Sequence, residues 1–356
     1  MLSIRKILIA VLSFVCAFSP MSLFASESKN EKEIDVKEIV MGHLSDAYEW
    51  HITTWNDKHV TIPLPVILYS EYSGWHIFSS SVFHEATDGS HEGFYIDSKT
   101  SKIVERVSGI KQGIRPWDFS ITKDVLQIWF VVFIMLGIFI HAARWYKRHQ
   151  EFDEAPKGFV GFVEMFVMMV NDDIIRPCIG DKHYKPYAPF LMTVFFFIFI
   201  SNLMGLIPIF PGGANVTGHI VVTFFLALCT FLLVNLFGNK EYWKDIFWPE
   251  VPTWLKVPVP LMPVIEFFGI LTKPFALMVR LFANMMGGHA IILSLVCVIF
   301  ITCNVGMAIG APLTIFSFAL MLFMNCLELL VAFIQAYVFT MLSAIFIGLA
   351  HPEPHK

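Results

Sequence analysis

Five polar side chains, Arg280, Asn284, His289, Glu328 and Gln335, interrupt two long apolar stretches near the end of a 356-residue chain. Between 281 and 350, Glu328 is the only charged residue and His289 the only histidine. A charge at the centre of a bilayer costs ~2.5–3.5 kcal/mol on insertion scales, and side chains of this kind mark ion and proton pathways. Histidine, with a reference pKa of ~6.5, and glutamate both take up and release protons near neutrality. Arginine does not: its guanidinium stays charged. It supplies a fixed positive field that keeps a nearby carboxylate ionised and blocks a proton wire running straight through. A relay that stops at such a cation suits a carboxylate on another subunit, which collects the proton and carries it away. The rival reading is a purely structural buried pair.

The elements that must position these groups are two apolar segments, roughly 258–302 and 312–349, joined by the turn "CNVGMAIGAP". An antiparallel hairpin turning there sets Arg280 opposite Gln335 and His289 opposite Glu328. The second level lies ~13 Å nearer the turn at ~1.5 Å per residue. Glu266, Lys273 and Arg280 recur every seven residues and share one helical face. Glu266 and Lys273 are candidates for an inner exit, with snorkelling of Lys273 to the interface as the alternative. Gly287 and Gly288 remove side chains beside this face and admit a second helix. Met278, Met285 and Met286 read as packing.

The whole chain is 56% hydrophobic, holds 36 phenylalanines and is only 15% charged. Several uncharged runs exceed the length needed to cross a bilayer, so the chain is read as an integral membrane protein. A net charge of −4 and the lack of a basic cluster interleaved with aromatics give no support to nucleic-acid binding. Residues 1–25 combine Arg5 and Lys6 with an apolar run and small residues at Ala25–Ser26, as a secretory signal does; a first membrane helix is the alternative. Residues 26–120 are polar and are expected to form a small β-rich exported domain, with a hairpin turning at Asp97–Lys102. This segment has no cysteine; the six of the chain lie elsewhere without metal spacing. Its histidines (His43, His51, His59, His76, His84, His91) likewise fit no tight ligand pattern, and neither metal nor cofactor is expected.

Val125–Ala143, Pro186–Pro208 and Val216–Phe237 read as spans that precede the hairpin. Between the first two, Phe159, Phe162, Val163, Phe166, Val167 and Val170 share one face, as in an amphipathic helix lying on the membrane surface. The fold class expected is therefore an all-α polytopic membrane protein, with five long membrane helices and one amphipathic surface helix, behind the β-rich domain. Lysines and arginines crowd the loops 144–185 and 238–256 and are absent from the turns 209–218 and 303–312. By the positive-inside rule the basic loops are cytoplasmic, the N-terminal domain lies outside and the tail 351–356 lies inside.

Three segments carry a resemblance: "LTKPFALMVRLFANMMGGHAIILSL", "GLIPIFPGGANVTGHIVVT" and "ELLVAFIQAYVFTMLSAIFIGLA". Over about 120–350 the chain resembles the membrane stator (a) subunits of F-type ATP synthases, and the arginine within "RLFAN" is very specific to that family. The resemblance implies a membrane domain of that type over 121–350, in the cell inner membrane, packed against a rotating c-ring and joined to peripheral-stalk b subunits. Protons would pass through two offset half-channels, with Arg280 separating them and Asn284, His289, Glu328 and Gln335 along the path. Some members exchange the acid and the histidine of the His289–Glu328 pair. The 26–120 segment is longer than the family's usual N-terminal region. The subunit would have no catalytic chemistry of its own, and no GxxxxGK[ST] loop is present for nucleotide. Two rivals are a self-contained secondary transporter, for which no inverted repeat is visible, and a membrane enzyme using the outer histidines as metal ligands.

Overall fold

The computed structural model describes residues 40, 42, 45–55, 58–85, 90–97, 100–106, 113–149, 156–207, 212–247, 261–303 and 307–351. The expected signal segment 1–25 and nearly all of the tail lie outside these residues. All described residues belong to one unit, Val36–Lys356.

The first part is built of short antiparallel strands. β1 (Glu49–Trp55) pairs with β2 (Lys58–Pro63). β3 (Pro65–Ser70) lies between β4 (Gly74–Ser79) and β8 (Trp117–Asp118). β6 (Phe94–Ile96) lies between β5 (Ser90–His91) and β7 (Ile103–Glu105), closing its hairpin across Asp97–Lys102. The run "HVTIPLPVILY" divides into two strands because Pro63 and Pro65 flank Leu64 and neither brings an N–H to a ladder. After β4 the chain turns into a one-turn helix, α1 (Val82–Glu85). Tyr48, Val66, Leu68, Phe83, Phe94 and Ile103 form a small core. His76 Nδ1 contacts Glu92 at 2.6 Å, and His91 packs edge-on against Phe78. Among the described residues no group of three or more His, Cys, Asp or Glu converges as a metal cage.

The remainder is helical. Four helices are long and apolar enough to cross a membrane: α2 (Lys123–Arg148), α5 (Tyr184–Leu206), and the cores of α8 (Leu261–Cys303) and α9 (Met307–Leu349). A fifth apolar helix, α6 (Ile220–Leu236), has 17 residues. It starts later than Val216 because Asn215 Oδ1 accepts the Gly218 N–H at 3.0 Å and holds Val216–Gly218 in a tighter 3-10 turn. A polar helix, α7 (Lys240–Phe247), precedes α8.

Between α2 and α5 runs a helix with a π-turn: α3 (Phe159–Met168), Met169–Ile175, then α4 (Arg176–Ile179). Its expected apolar face is divided. Val160 and Val163 are buried, and Val170, Ile174 and Ile175 enter the main core, while Phe159 and Phe162 stay exposed at 54% and 55%. The extra residue of the π-turn advances the buried face from Val163 and Val170 onto Ile174 and Ile175. Small residues let the helices close. Ala332, Ala336 and Ala344 on α9 are fully buried, and a Cβ at Gly348 would stand 2.0 Å from the Cys178 carbonyl oxygen.

Helix α9 begins at Met307, inside the expected turn 303–312. Pro312 stands in the second turn of α9, where one early backbone hydrogen bond is lost and the helix continues.

Candidate functional site

α8 and α9 bring His289 against Glu328. The imidazole Nδ1 meets the carboxyl Oε1, and both groups are withdrawn from solvent, with side-chain exposures of 13% and 4%. The pair fits because residue 288 has no side chain: a Cβ there would lie 2.9 Å from Glu328 Oε1. The opposite edge of the ring faces α5, where Nε2 lies 3.3 Å from the Gly205 carbonyl oxygen. A carbonyl only accepts, so this contact favours the tautomer with hydrogen on Nε2. Nδ1 is then the ring nitrogen that faces Oε1, a geometry in which a proton can pass between the two groups. Glu328 Oε2 has no hydrogen-bond partner among the described residues.

Behind this pair stands a buried polar wall. Asn202 on α5 donates to the Ala332 carbonyl at 3.2 Å, one turn beyond Glu328, and accepts from Thr217 Oγ1 at 2.6 Å. Gln127 on α2, wholly buried, clamps Ala214 by two hydrogen bonds of 2.8 Å. The Ala214 carbonyl oxygen lies 3.4 Å from where a Cβ of Gly205 would be, so the clamped loop sits beside the His289 contact.

Arg280 and Asn284 are on another face of α8 and are exposed. Among the described residues neither makes an ion pair or a side-chain hydrogen bond. Leu277, Leu281 and Met285, on the adjacent face, are 1–2% exposed. Gln335 is buried at 6% in the bundle, on the same side of α9 as Glu328. The structure therefore brings His289 and Glu328 together but does not join Arg280 to Gln335. Nine residues are about 2.5 helical turns, so Arg280 points away from His289 and from α9, a rotation that a register along the axis does not capture.

Glu266 and Lys273 are half-buried nearer the α8 N-terminus. Lys273 Nζ lies 5.9 Å from the ring centre of Phe346 and borders a cleft with Asn235 and Tyr242. Burial, and then the charge of Glu266, raise the Tyr242 phenol above its ordinary range.

A second acid–histidine pair stands where the strand-rich part meets the helices. Asp124, in the first turn of α2, lies 2.6 Å from Nε2 of His219, the residue before α6. Asp46 accepts the Asp124 N–H at 3.3 Å, and Ala47 accepts that of Lys123 at 2.9 Å, so residues 46–47 cap α2. Burial opposes protonation of His219, but the hydrogen bond and charge of Asp124, with Asp46 behind it, raise its pKa against the opposition of Lys123. Asp46 is raised too, first by burial and then by Asp124, with Thr122 and Lys102 opposing.

Gln127, Asn202, Thr217, Gly205 and the Asp124–His219 pair were not among the sequence candidates. Gln127 and Asn202 carry the same signal as Glu328, a polar side chain inside an apolar run. Asp124 and His219 stand at the polar ends of their helices, where such residues are ordinary.

The family model of the ATP synthase A chain matches residues 125–348, and that of the Domain of unknown function (DUF8433) matches residues 39–119. The chain is 42% identical over 241 residues to "ATP synthase subunit a" of Chlorobium phaeobacteroides, covering 66% of each protein. It is 42% identical over 248 residues to "ATP synthase subunit a 2" of Chlorobaculum tepidum, covering 67% of this chain and 66% of the relative. With "ATP synthase subunit a" of Myxococcus xanthus the identity is 38% over 258 residues, covering 70% and 78%. The chain thus spans just under two thirds of the length of the Chlorobium and Chlorobaculum relatives.

Proposed function

The chain belongs to the ATP synthase A chain family, and from that premise we propose that it is the stator subunit through which protons cross the membrane to and from the rotating c-ring. The observation that carries this reading is the division of labour on α8: His289 faces inward onto Glu328, while Arg280, a permanent cation without a side-chain partner among the described residues, faces outward. Around Arg280 and Asn284 the exposed face of α8 also carries Ala276, Ala283 and Ile291. That face suits a ring of apolar helices, each with a carboxylate to meet the guanidinium.

In this reading a proton from outside reaches the Glu328 carboxylate or the His289 imidazole. It passes by Gln335 and Asn284 to an ionised ring carboxylate. The neutralised carboxyl leaves Arg280, enters lipid and rotates. After a turn it meets the inner half-channel, with Glu266 and Lys273 at its mouth. Arg280 holds each arriving carboxylate ionised and prevents direct leakage between the two half-channels. The coupling of proton flow to ATP synthesis or hydrolysis takes place in the whole complex, with peripheral-stalk b subunits holding this chain still. The chain would lie in the cell inner membrane with α6 as the fifth span, the strand-rich domain (26–120) outside after removal of residues 1–25, the membrane domain over 121–350 and the tail inside.

The test is directional. In the complete synthase reconstituted in vesicles, His289→Ala and Glu328→Ala are expected to slow proton uptake from the outer side more than release on the inner side. Equal effects on both would contradict the outer placement.

A further inference from the structure

The contacts of the strand-rich segment with the helices extend this reading. Asp124 is 6% exposed, and its Oδ1 has no hydrogen-bond partner among the described residues while Oδ2 holds His219. A second buried group nearby, Asn215 Nδ2, is likewise without a partner there. Buried polar atoms of this kind are satisfied by water, and a site with several of them is polar enough to hold it. One short run of chain links this place to the inner pair. Gln127 lies one turn below Asp124 and grips Ala214; the Ala214 carbonyl borders Gly205; the Gly205 carbonyl contacts His289. Between Asp124 and His219 on one side and His289 and Glu328 on the other, Gln127 and the Ala214 and Gly205 carbonyls thus form a row of polar groups in an otherwise apolar bundle.

We propose that Asp124 and His219, braced by Asp46, form a second proton-exchange site at the outer mouth of the inlet, which loads the His289–Glu328 pair. The proposal rests on the half-channel reading above. A proton taken from outside water occupies the Asp124–His219 dyad. It leaves inward to His289–Glu328, and the dyad is reloaded from outside, so that it ends each passage with its starting charge. Gln127, Ala214 and Gly205 do not titrate in this step; they present the donors and acceptors that line the way. The groups facing His219 are Asp124 on α2, Asp46 from the segment before β1, and Lys123; Lys102, 3.9 Å from Asp46, faces the outer side of the cluster. The balance of these charges raises the imidazole pKa, which suits a site that must hold a proton near neutrality. This assigns a task to the strand-rich segment: it contributes Asp46 and caps α2, fixing Asp124 in place.

The experiment uses the complete synthase in proteoliposomes and measures ATP synthesis after an acid–base step, varying the pH on the side that holds the strand-rich segment. Asp124→Asn and His219→Asn are expected to lower the rate roughly tenfold at neutral pH, less than the full effect of removing a proton-transfer group because rotation shares control. The half-maximal rate should also move to lower pH, since loading then needs more protons. His219→Asn stands on a loop and serves where Asp124→Asn fails to assemble. Wild-type rates and an unmoved pH profile in assembled His219→Asn would overturn the proposal and leave the dyad a structural clasp. Glu328→Gln and Arg280→Ala are run alongside. If they abolish synthesis while the outer variants are silent, only this proposal fails. If they too are silent, the half-channel reading fails.

Discussion

Gly288 stands so close to Glu328 that a Cβ on it would lie 2.9 Å from the carboxylate Oε1 and 3.2 Å from the carboxyl carbon. The obstructing atoms are the far end of a flexible side chain rather than backbone. Gly288→Ala is therefore expected to leave assembly nearly intact while swinging the carboxylate away from His289. Proton pumping by the assembled complex should fall several-fold, on the order of 1 kcal/mol of added barrier. Unchanged pumping would show that the His289–Glu328 contact is not used.

Gly348→Ala should behave in the opposite way. Here the added methyl group meets the Cys178 backbone oxygen at 2.0 Å, where α9 crosses α4. Backbone cannot step aside, so overpacking of about 1–3 kcal/mol is expected. The yield and thermal stability of the complex should drop, while those complexes that survive pump normally, because the site lies several turns away.

The clasp at the start of α2 should be tighter in acid. His219 has a folded-state pKa above its unfolded value, so its contribution is fully present below ~6.5 and is lost as pH rises through the raised value. Asp46 is also raised; an acid that prefers its proton in the folded state penalises folding as pH climbs past its unfolded pKa. Both signs agree. Hydrogen exchange at the Lys123 and Asp124 amides, which Ala47 and Asp46 accept, should quicken between mildly acid and alkaline pH beyond its intrinsic increase. His219→Asn should remove most of the change above ~6.5, the part that histidine carries.

Much of this arrangement was legible because hydrocarbon penalises polarity so heavily that each polar residue in an apolar run stands out. Glu328 and His289 were found in this way, and hairpin geometry was enough to set them at one level. The contact is made although the two arms differ in length. Helix α8 has 14 residues from His289 to its end at Cys303, whereas α9 takes 21 from Met307 to Glu328, so the two arms are not symmetric about the turn. What escaped was rotation about the helix axis. Phe159 and Phe162 are as apolar as Val163, yet only the valine is buried, because the elements packed beside this helix decide which side is inside. Asp124 and His219 escaped for another reason: their pairing depends on a contact between residues 95 positions apart, at helix ends where polarity is cheap.

The role of Lys273 separates two physical outcomes. Its ammonium lies over Phe346 in a cleft with Tyr242 and Asn235. If the inner half-channel opens there, Lys273→Met should slow proton release to the inner side about as much as it slows overall pumping, with uptake from outside unaffected. If it only snorkels, pumping should be unchanged and thermal stability should shift by under about 1 kcal/mol.

ATP-driven proton pumping by the assembled complex carrying Arg280→Ala tests the central claim most directly. The proposed role of Arg280, exposed on α8 and without a partner among the described residues, predicts complete loss of pumping with normal assembly. Pumping at wild-type rates in that variant would contradict it.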